Sequence, residues 1–130
     1  MDQKQINLTN AEWNVMECLW QSQPRTVMQL VAELRDSVGW AKSTTITMLT
    51  RMEAKGLIVC DPTQKPKYYT SAVQREDAVR EETQSFMERV FRGSVGLMMS
   101  NIVENRKLSR EELDELYAIL QKAEEDADRR

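Results

Sequence analysis

Apolar residues fall at two periods along this chain, and the alternation between them marks out its elements. From Trp13 they step by three and four: Trp13, Met16, Leu19 and Trp20 form one stripe, and Val27, Leu30, Val31 and Leu34 form a second. That period is helical. Thr9 with Glu12, and Thr26 with Gln29, have capping-box spacing at the head of each stripe, and Leu8 with Trp13 has that of a hydrophobic staple. Ser22 to Pro24 stops the first helix, and Asp36 to Gly39 forms the turn after the second. A third helix runs from about Trp40 to Gly56, with Ile46, Leu49 and Met52 as its apolar line and Gly56 as its C-terminal cap. Two β-rich runs follow, Leu57–Asp61 and Lys67–Ser71, around a Pro-bounded polar loop. They read as a hairpin. Three helices and then a basic hairpin is the order of a winged helix-turn-helix.

The third helix is odd on its polar side. Lys42, Ser43, Thr44, Thr47, Arg51 and Lys55 lie there, with Thr50 partly on it, and no carboxylate appears before Glu53. β-branched threonines are poor helix formers, and a merely solvated face would carry Glu, Lys and Gln instead. Small hydroxyls with cations suit a narrow polar space such as the major groove of DNA. Lys42, Ser43, Thr44, Thr47, Arg51 and Lys55 are therefore candidate DNA contacts. Arg51 grips either a guanine edge or a phosphate. Lys65 and Lys67, in and beside the hairpin loop, serve either as phosphate contacts or as lysines that discourage edge pairing. The local charge favours phosphate. Tyr68 and Tyr69 alternate faces, which puts one in the core and leaves the other toward DNA.

After Ala72 the composition changes. A long helix spans Glu76 to Phe91 with Val79, Thr83, Phe86 and Val90 in step. Arg92 to Ser94 breaks it, and the Val95–Val103 run is apolar around most of its circumference, as in a helix packed on several sides. Asn105 to Lys107 forms a turn. Ser109 and Glu112 make another capping box, and Leu113, Leu116, Tyr117 and Leu120 lead to an acidic end, frayed from Glu124 onward. The tail holds more apolar side chains than three helices of this size bury alone, which predicts exchange with a second copy. Phe86, Val90, Leu97, Met98, Ile102, Leu113, Leu116, Tyr117 and Leu120 are the candidate dimerisation residues. The expected architecture is mainly α with a small β-hairpin: a winged helix-turn-helix over residues 1–72 and a helical dimerisation domain over 73–130.

Charge sharpens this division. The net charge of the 130-residue chain is −3, which taken alone argues against a nucleic-acid partner. Residues 1–72 hold 8 basic and 7 acidic side chains, whereas residues 73–130 hold 10 and 14. Within 42–67, five cations face two acids. The local field governs docking on phosphate. At 41% hydrophobic and 30% charged residues, the chain reads as a soluble globular protein. It has no signal-peptide core and no run of membrane-spanning length. Cys18 and Cys60 lack local partners, which suits the reducing cytoplasm. With no histidine, no Gly-rich phosphate loop and no clustered acid pair in an apolar setting, an enzyme, a metal site and a cofactor are not expected. Trp13, Trp20 and Trp40 could stack on bases, but their apolar neighbours point to core packing. Met87, Met98 and Met99 suit gap-filling better than metal ligation, and the two cysteines suit small buried residues better than redox sensors.

The ordered motifs resemble the penicillinase-repressor family, the BlaI/MecI/CopY group of bacterial winged-helix repressors. The resemblance rests on LTNAEWNVM (Leu8–Met16), on Trp40-Ala-x-Ser-Thr44, and on the stretch from Thr47 to Gly56. It continues through Tyr68 and Tyr69, Phe91-x-Gly93, and Leu108-Ser-x-x-Glu-Leu113. It implies a homodimeric repressor that binds a dyad-symmetric operator. In the family's antibiotic-resistance branch, a membrane sensor detects β-lactam, and the repressor is then cut in its dimerisation domain after an asparagine, within Asn-Phe-Val-Glu. This chain has Asn101-Ile-Val-Glu104 there, so the resemblance implies Asn101 and Ile102 as the cleavage site, with Ile102 departing from the pattern. An asparagine in an apolar helix also reads as a polar group satisfied by a neighbouring turn or helix. The copper branch carries a cysteine-rich tail; the tail here has no cysteine, which sets metal sensing aside.

The expected function is therefore a cytoplasmic homodimeric repressor acting on an inverted-repeat operator of β-lactam-resistance genes. Its partners would be duplex DNA, a second copy of itself and a membrane sensor-protease system, with no membrane insertion of its own. Two other functions fit the same residues: a winged-helix regulator released by a small ligand, and a winged-helix interaction module without DNA binding.

Overall fold

A computed structural model describes residues 6–129. Its first helix, α1 (Asn10–Gln21), begins at the expected box: Thr9 Oγ1 accepts from the Glu12 backbone at 3.1 Å, and Glu12 Oε1 accepts from the Thr9 backbone at 2.9 Å. Strand β1 (Arg25–Thr26) leads into α2 (Val27–Val38), which Thr26 and Gln29 box in the same way. The turn expected over Asp36–Gly39 is shorter than predicted. The helix runs through Val38, and Gly39 alone, at φ +74, takes the left-handed conformation that reverses the chain. Helix α3 (Lys42–Ala54) closes at Gly56, φ +80, with the Leu57 N–H reaching back to the Met52 carbonyl at 3.0 Å.

Strands β2 (Ile58–Asp61) and β3 (Tyr68–Ser71) form the hairpin, with Cys60 opposite Tyr69 and Asp61 opposite Tyr68. β1 pairs with the free edge of β3, giving the antiparallel order β1-β3-β2. Two residues leave no periodic signature, so β1 was not readable from pattern. Its pairing covers the edge of β3 and fixes the wing against the start of α2.

The core joins α1, α2, α3 and the sheet through Val15, Met16, Leu19, Leu30, Leu34, Leu49, Met52, Leu57, Ile58 and Tyr69. Three expectations about its lining are corrected. In α1 the buried line is Val15, Met16, Cys18 and Leu19, with Trp13 and Trp20 only half-buried. They pack edge to face at 5.5 Å, and the Trp20 Nε1–H donates to the Val73 carbonyl at 2.9 Å and to Ser71 Oγ at 3.1 Å. An indole with a donor to satisfy belongs at the margin of a core. In α3, Thr45 is buried and Ile46 is 40% exposed, the reverse of the apolar line predicted through Ile46. Successive helical residues turn about 100°, so a face centred on Leu49 and Met52 takes in Thr45 and turns Ile46 outward. In the following helix, Ala78 is buried rather than Val79, for the same reason of phase.

Contacts divide the chain into two compact units, one ending at Ser85 and the other beginning at Phe86. Helix α4 (Arg75–Phe91) starts in the first and ends in the second. In the second unit, Arg92 (φ +51) and Gly93 (φ +81) make the break, and Ser94 caps α5 (Val95–Asn105) by accepting from the Leu97 backbone at 3.0 Å. Ser109 and Glu112 box the start of α6 (Arg110–Asp128). The end predicted to fray from Glu124 is helical through Asp128. The run Gln121-Lys-Ala-Glu-Glu125 consists of strong helix formers, and their propensity outweighs the crowding of acids. Neither α5 nor α6 buries a single residue, so the packing on several sides expected of α5 is not made within this chain. Among the described residues, no helix is long and apolar enough to cross a membrane.

Candidate nucleic-acid interface

Helix α3 is held by one face only. Thr45, Leu49 and Met52 are buried, Met48 is half-buried, and Lys42, Ser43, Thr44, Thr47 and Arg51 are exposed. Ser43, Thr44, Thr47, Met48 and Arg51 together line one open depression of about 240 Å³ on its surface. Four of the six polar residues read from the sequence, Ser43, Thr44, Thr47 and Arg51, thus share one depression, and Lys42 and Lys55 lie outside its lining. That lining contains hydroxyls, a thioether and a guanidinium, and no carboxylate.

The start of α3 differs from those of its neighbours. α1, α2 and α6 are each closed by a capping box, whereas Ala41 caps α3 with no side-chain hydrogen bond. Its first-turn N–H groups, beside Lys42, Ser43 and Thr44, therefore lack the side-chain acceptor that the other three helices have. A helix start that points N–H groups and a positive dipole end at solvent, with no acid in its first turn, suits a phosphate.

The cations sort by what they touch. Among the described residues, Lys42, Arg51, Lys65 and Lys67 make no ion pair, and all four are exposed. Lys65 and Lys67 lie in the exposed loop between β2 and β3. Asp61 ends β2 just before that loop, and its carboxylate is engaged locally, accepting from the Thr63 hydroxyl at 2.6 Å and from the Thr63 backbone at 2.9 Å. Those hydrogen bonds hold its pKa below the usual carboxylate range. Lys55 differs from the other four. Its Nζ lies 2.6 Å from Glu12 Oε2, and the Glu12 side chain is only 6% exposed. Burial pushes the Glu12 carboxyl up. The Lys55 hydrogen bond, the Thr9 backbone N–H and the Lys55 charge together outweigh this and leave its pKa lowered. Lys55 thus ties the end of α3 to the start of α1.

The remaining candidates fall as follows. Tyr69 is buried, with its hydroxyl 3.4 Å from Glu53, while Tyr68 is half-buried. Trp40 packs against the core. Cys18 is buried, and loss of solvent, with the nearby Glu33 carboxylate, pushes its thiol up to about 11. It stays protonated and unreactive at neutral pH. Glu33 itself pairs with Arg25, which also donates to the Cys18 carbonyl at 3.3 Å.

In the second unit Asn101 and Ile102 are exposed on the body of α5, and the Asn101 carbonyl accepts from Asn105 Nδ2 at 2.9 Å. Phe86, Val90, Leu97, Ile102, Tyr117 and Leu120 are exposed, while Met98, Leu113 and Leu116 are half-buried. Val95, Val103 and Ile119 are also exposed and were not singled out from the sequence. Ile119 stands three residues after Leu116, and that spacing was the available signal. With Met99, Ile102, Leu108 and Leu116 it lines an apolar depression between α5 and α6.

Three helices, a return hairpin and an outward third helix define a winged helix-turn-helix protein. Residues 8–122 match the family model described as penicillinase repressor, and the chain belongs to that family of repressors. It is similar to the methicillin resistance regulatory protein MecI of Staphylococcus aureus strain N315, with 30% identity over 94% of this chain and 99% of that one. A penicillinase repressor of Bacillus licheniformis is 31% identical over 88% of this chain and 89% of its own length. A penicillinase repressor of Staphylococcus aureus is 25% identical, with 92% and 95% covered.

Proposed function

We infer that the protein is a homodimeric repressor in which each subunit lays α3 in a major groove and rests its wing on flanking phosphate. The observation that carries this reading is the depression on the outward face of α3: lined by no carboxylate, beside a helix start with no side-chain cap, and flanked by cations that make no ion pair among the described residues. Ser43, Thr44, Thr47 and Arg51 would face the bases and nearby backbone. Lys42, Lys65 and Lys67 would meet phosphate. The division at 72/73 into a DNA-binding and a dimerisation domain is part of this proposal. The exposed apolar side chains of the second unit support pairing with a second copy, which would set two copies of α3 at a fixed separation. The operator would then be an approximate inverted repeat, and the second half-site would be bound at high effective concentration.

The names of the relatives support resistance to β-lactams as the regulated trait. Release would follow cleavage at Asn101–Ile102, directed by a membrane sensor-protease system. Splitting the second unit would remove the gain from pairing. A protease takes its substrate extended, so α5 would have to open locally first.

Arg51→Ala tests the interface. It should cost about 1–3 kcal/mol in operator binding with the fold and dimer intact. Fluorescence anisotropy across a salt series on duplexes selected from random DNA is the measurement. Binding that falls steeply with salt supports the reading. An intact dimer with no salt-dependent DNA binding would sink it.

A further inference from the structure

The outer surface of α3 carries two rows of unlike chemistry. Residues four apart lie side by side on a helix. One row is Ser43, Thr47 and Arg51, the polar line of the depression. The adjacent row is Ile46, Thr50 and Ala54. Ile46 is 40% exposed, and Thr50 and Ala54 are exposed. Thr50 belongs to this row by its bonding: its hydroxyl donates to the Ile46 carbonyl at 3.0 Å, which leaves its γ-methyl as the uncommitted outward group. A branched aliphatic chain, a methyl and a Cβ thus run along a helix whose neighbouring row is hydroxylic and cationic.

In the major groove one base feature is apolar, the 5-methyl of thymine. We propose that Ile46, with the Thr50 methyl beside it, is a specificity-determining residue that reads thymine 5-methyl groups, while the Ser43–Thr47–Arg51 row reads polar base edges. The proposal rests on the repressor reading above. The occupant follows from position, since an apolar row next to a cationic, carboxylate-free row on the same helix enters the same groove.

The test uses the full-length protein and a tight-binding duplex selected from random sequence. Each thymine is replaced in turn by deoxyuridine, which removes the methyl and leaves every hydrogen-bonding group in place. One or two positions per half-site should lose about four-fold in affinity, the effect of one buried carbon. Ile46→Ala should bind the thymine duplex more weakly by a similar factor and should no longer distinguish deoxyuridine at those positions. Thr50→Ser, which keeps the hydroxyl bond and removes only the methyl, should lose part of the same discrimination. Ile46 is outside the core, and thermal unfolding of Ile46→Ala should match the parent. Binding that ignores every methyl, or an Ile46→Ala variant that keeps full sensitivity to them, overturns this proposal and leaves the repressor reading standing. Absence of any salt-dependent DNA binding overturns both.

Discussion

The two compact units use apolar residues in opposite ways. The first closes a core within one chain: Met16, Leu19, Leu30, Leu34, Met52 and Ile58 are each at most 1% exposed. The second exposes what it has, with Val95, Leu97, Val103, Tyr117, Ile119 and Leu120 all more than half exposed and nothing in α5 or α6 buried. Two helices of a monomeric surface seldom expose so many large apolar side chains. The contrast teaches that the first unit covers its apolar residues by itself, whereas the second leaves them uncovered within this chain. The proposed second copy is what would cover them.

Cutting into each unit exposes that difference most directly. Leu34→Ala empties space in a closed core and should destabilise the first unit by about 2–5 kcal/mol. Its shift in urea midpoint should not depend on protein concentration. Leu120→Ala should leave that transition in place and weaken self-association by about 1–2 kcal/mol, the worth of one aliphatic side chain removed from water. Sedimentation equilibrium reads this, and an unchanged dimer constant would break the comparison.

A smaller effect probes how the first unit is fastened. Lys55→Met leaves the buried Glu12 carboxylate without its cation and should cost about 1–2 kcal/mol near neutral pH. Because the folded-state pKa of Glu12 is lowered, its stabilising contribution is complete above the free carboxyl's 4.5. It is lost as pH falls through the lower folded value. The parent should therefore weaken on acidification through that window. The variant's deficit should shrink there, since protonated Glu12 no longer needs Lys55. Urea titrations at several pH values measure both.

The smallest change should be a gain. Thr45 is fully buried in α3 and its hydroxyl has no hydrogen-bond partner among the described residues. Thr45→Val keeps the shape and removes the unsatisfied group, and should stabilise the first unit by about 1 kcal/mol without altering DNA affinity. A loss of stability would mean that the hydroxyl is satisfied in solution.

By itself, the sequence determined the helices, their capping boxes, the hairpin and the polar side of α3. All of these follow from local chemistry: a threonine three residues before Glu12, a glycine able to take positive φ at Gly39 or Gly56, hydroxyls where Glu and Lys would be expected. Phase was not local. Whether Ile46 or Thr45 faces inward differs by one helical step of about 100°, and only packing of α1, α2 and the sheet against α3 chose. Nor was β1 local, because two residues form a strand only when Tyr68 and Tyr69 are there to pair with them. Lys55 looked like its fellow cations until the fold brought Glu12, forty-three positions earlier, within 2.6 Å. An ion pair of that span leaves no periodic trace in a sequence, so tertiary structure alone separated the lysine that fastens the fold from the exposed cations Lys42, Arg51, Lys65 and Lys67.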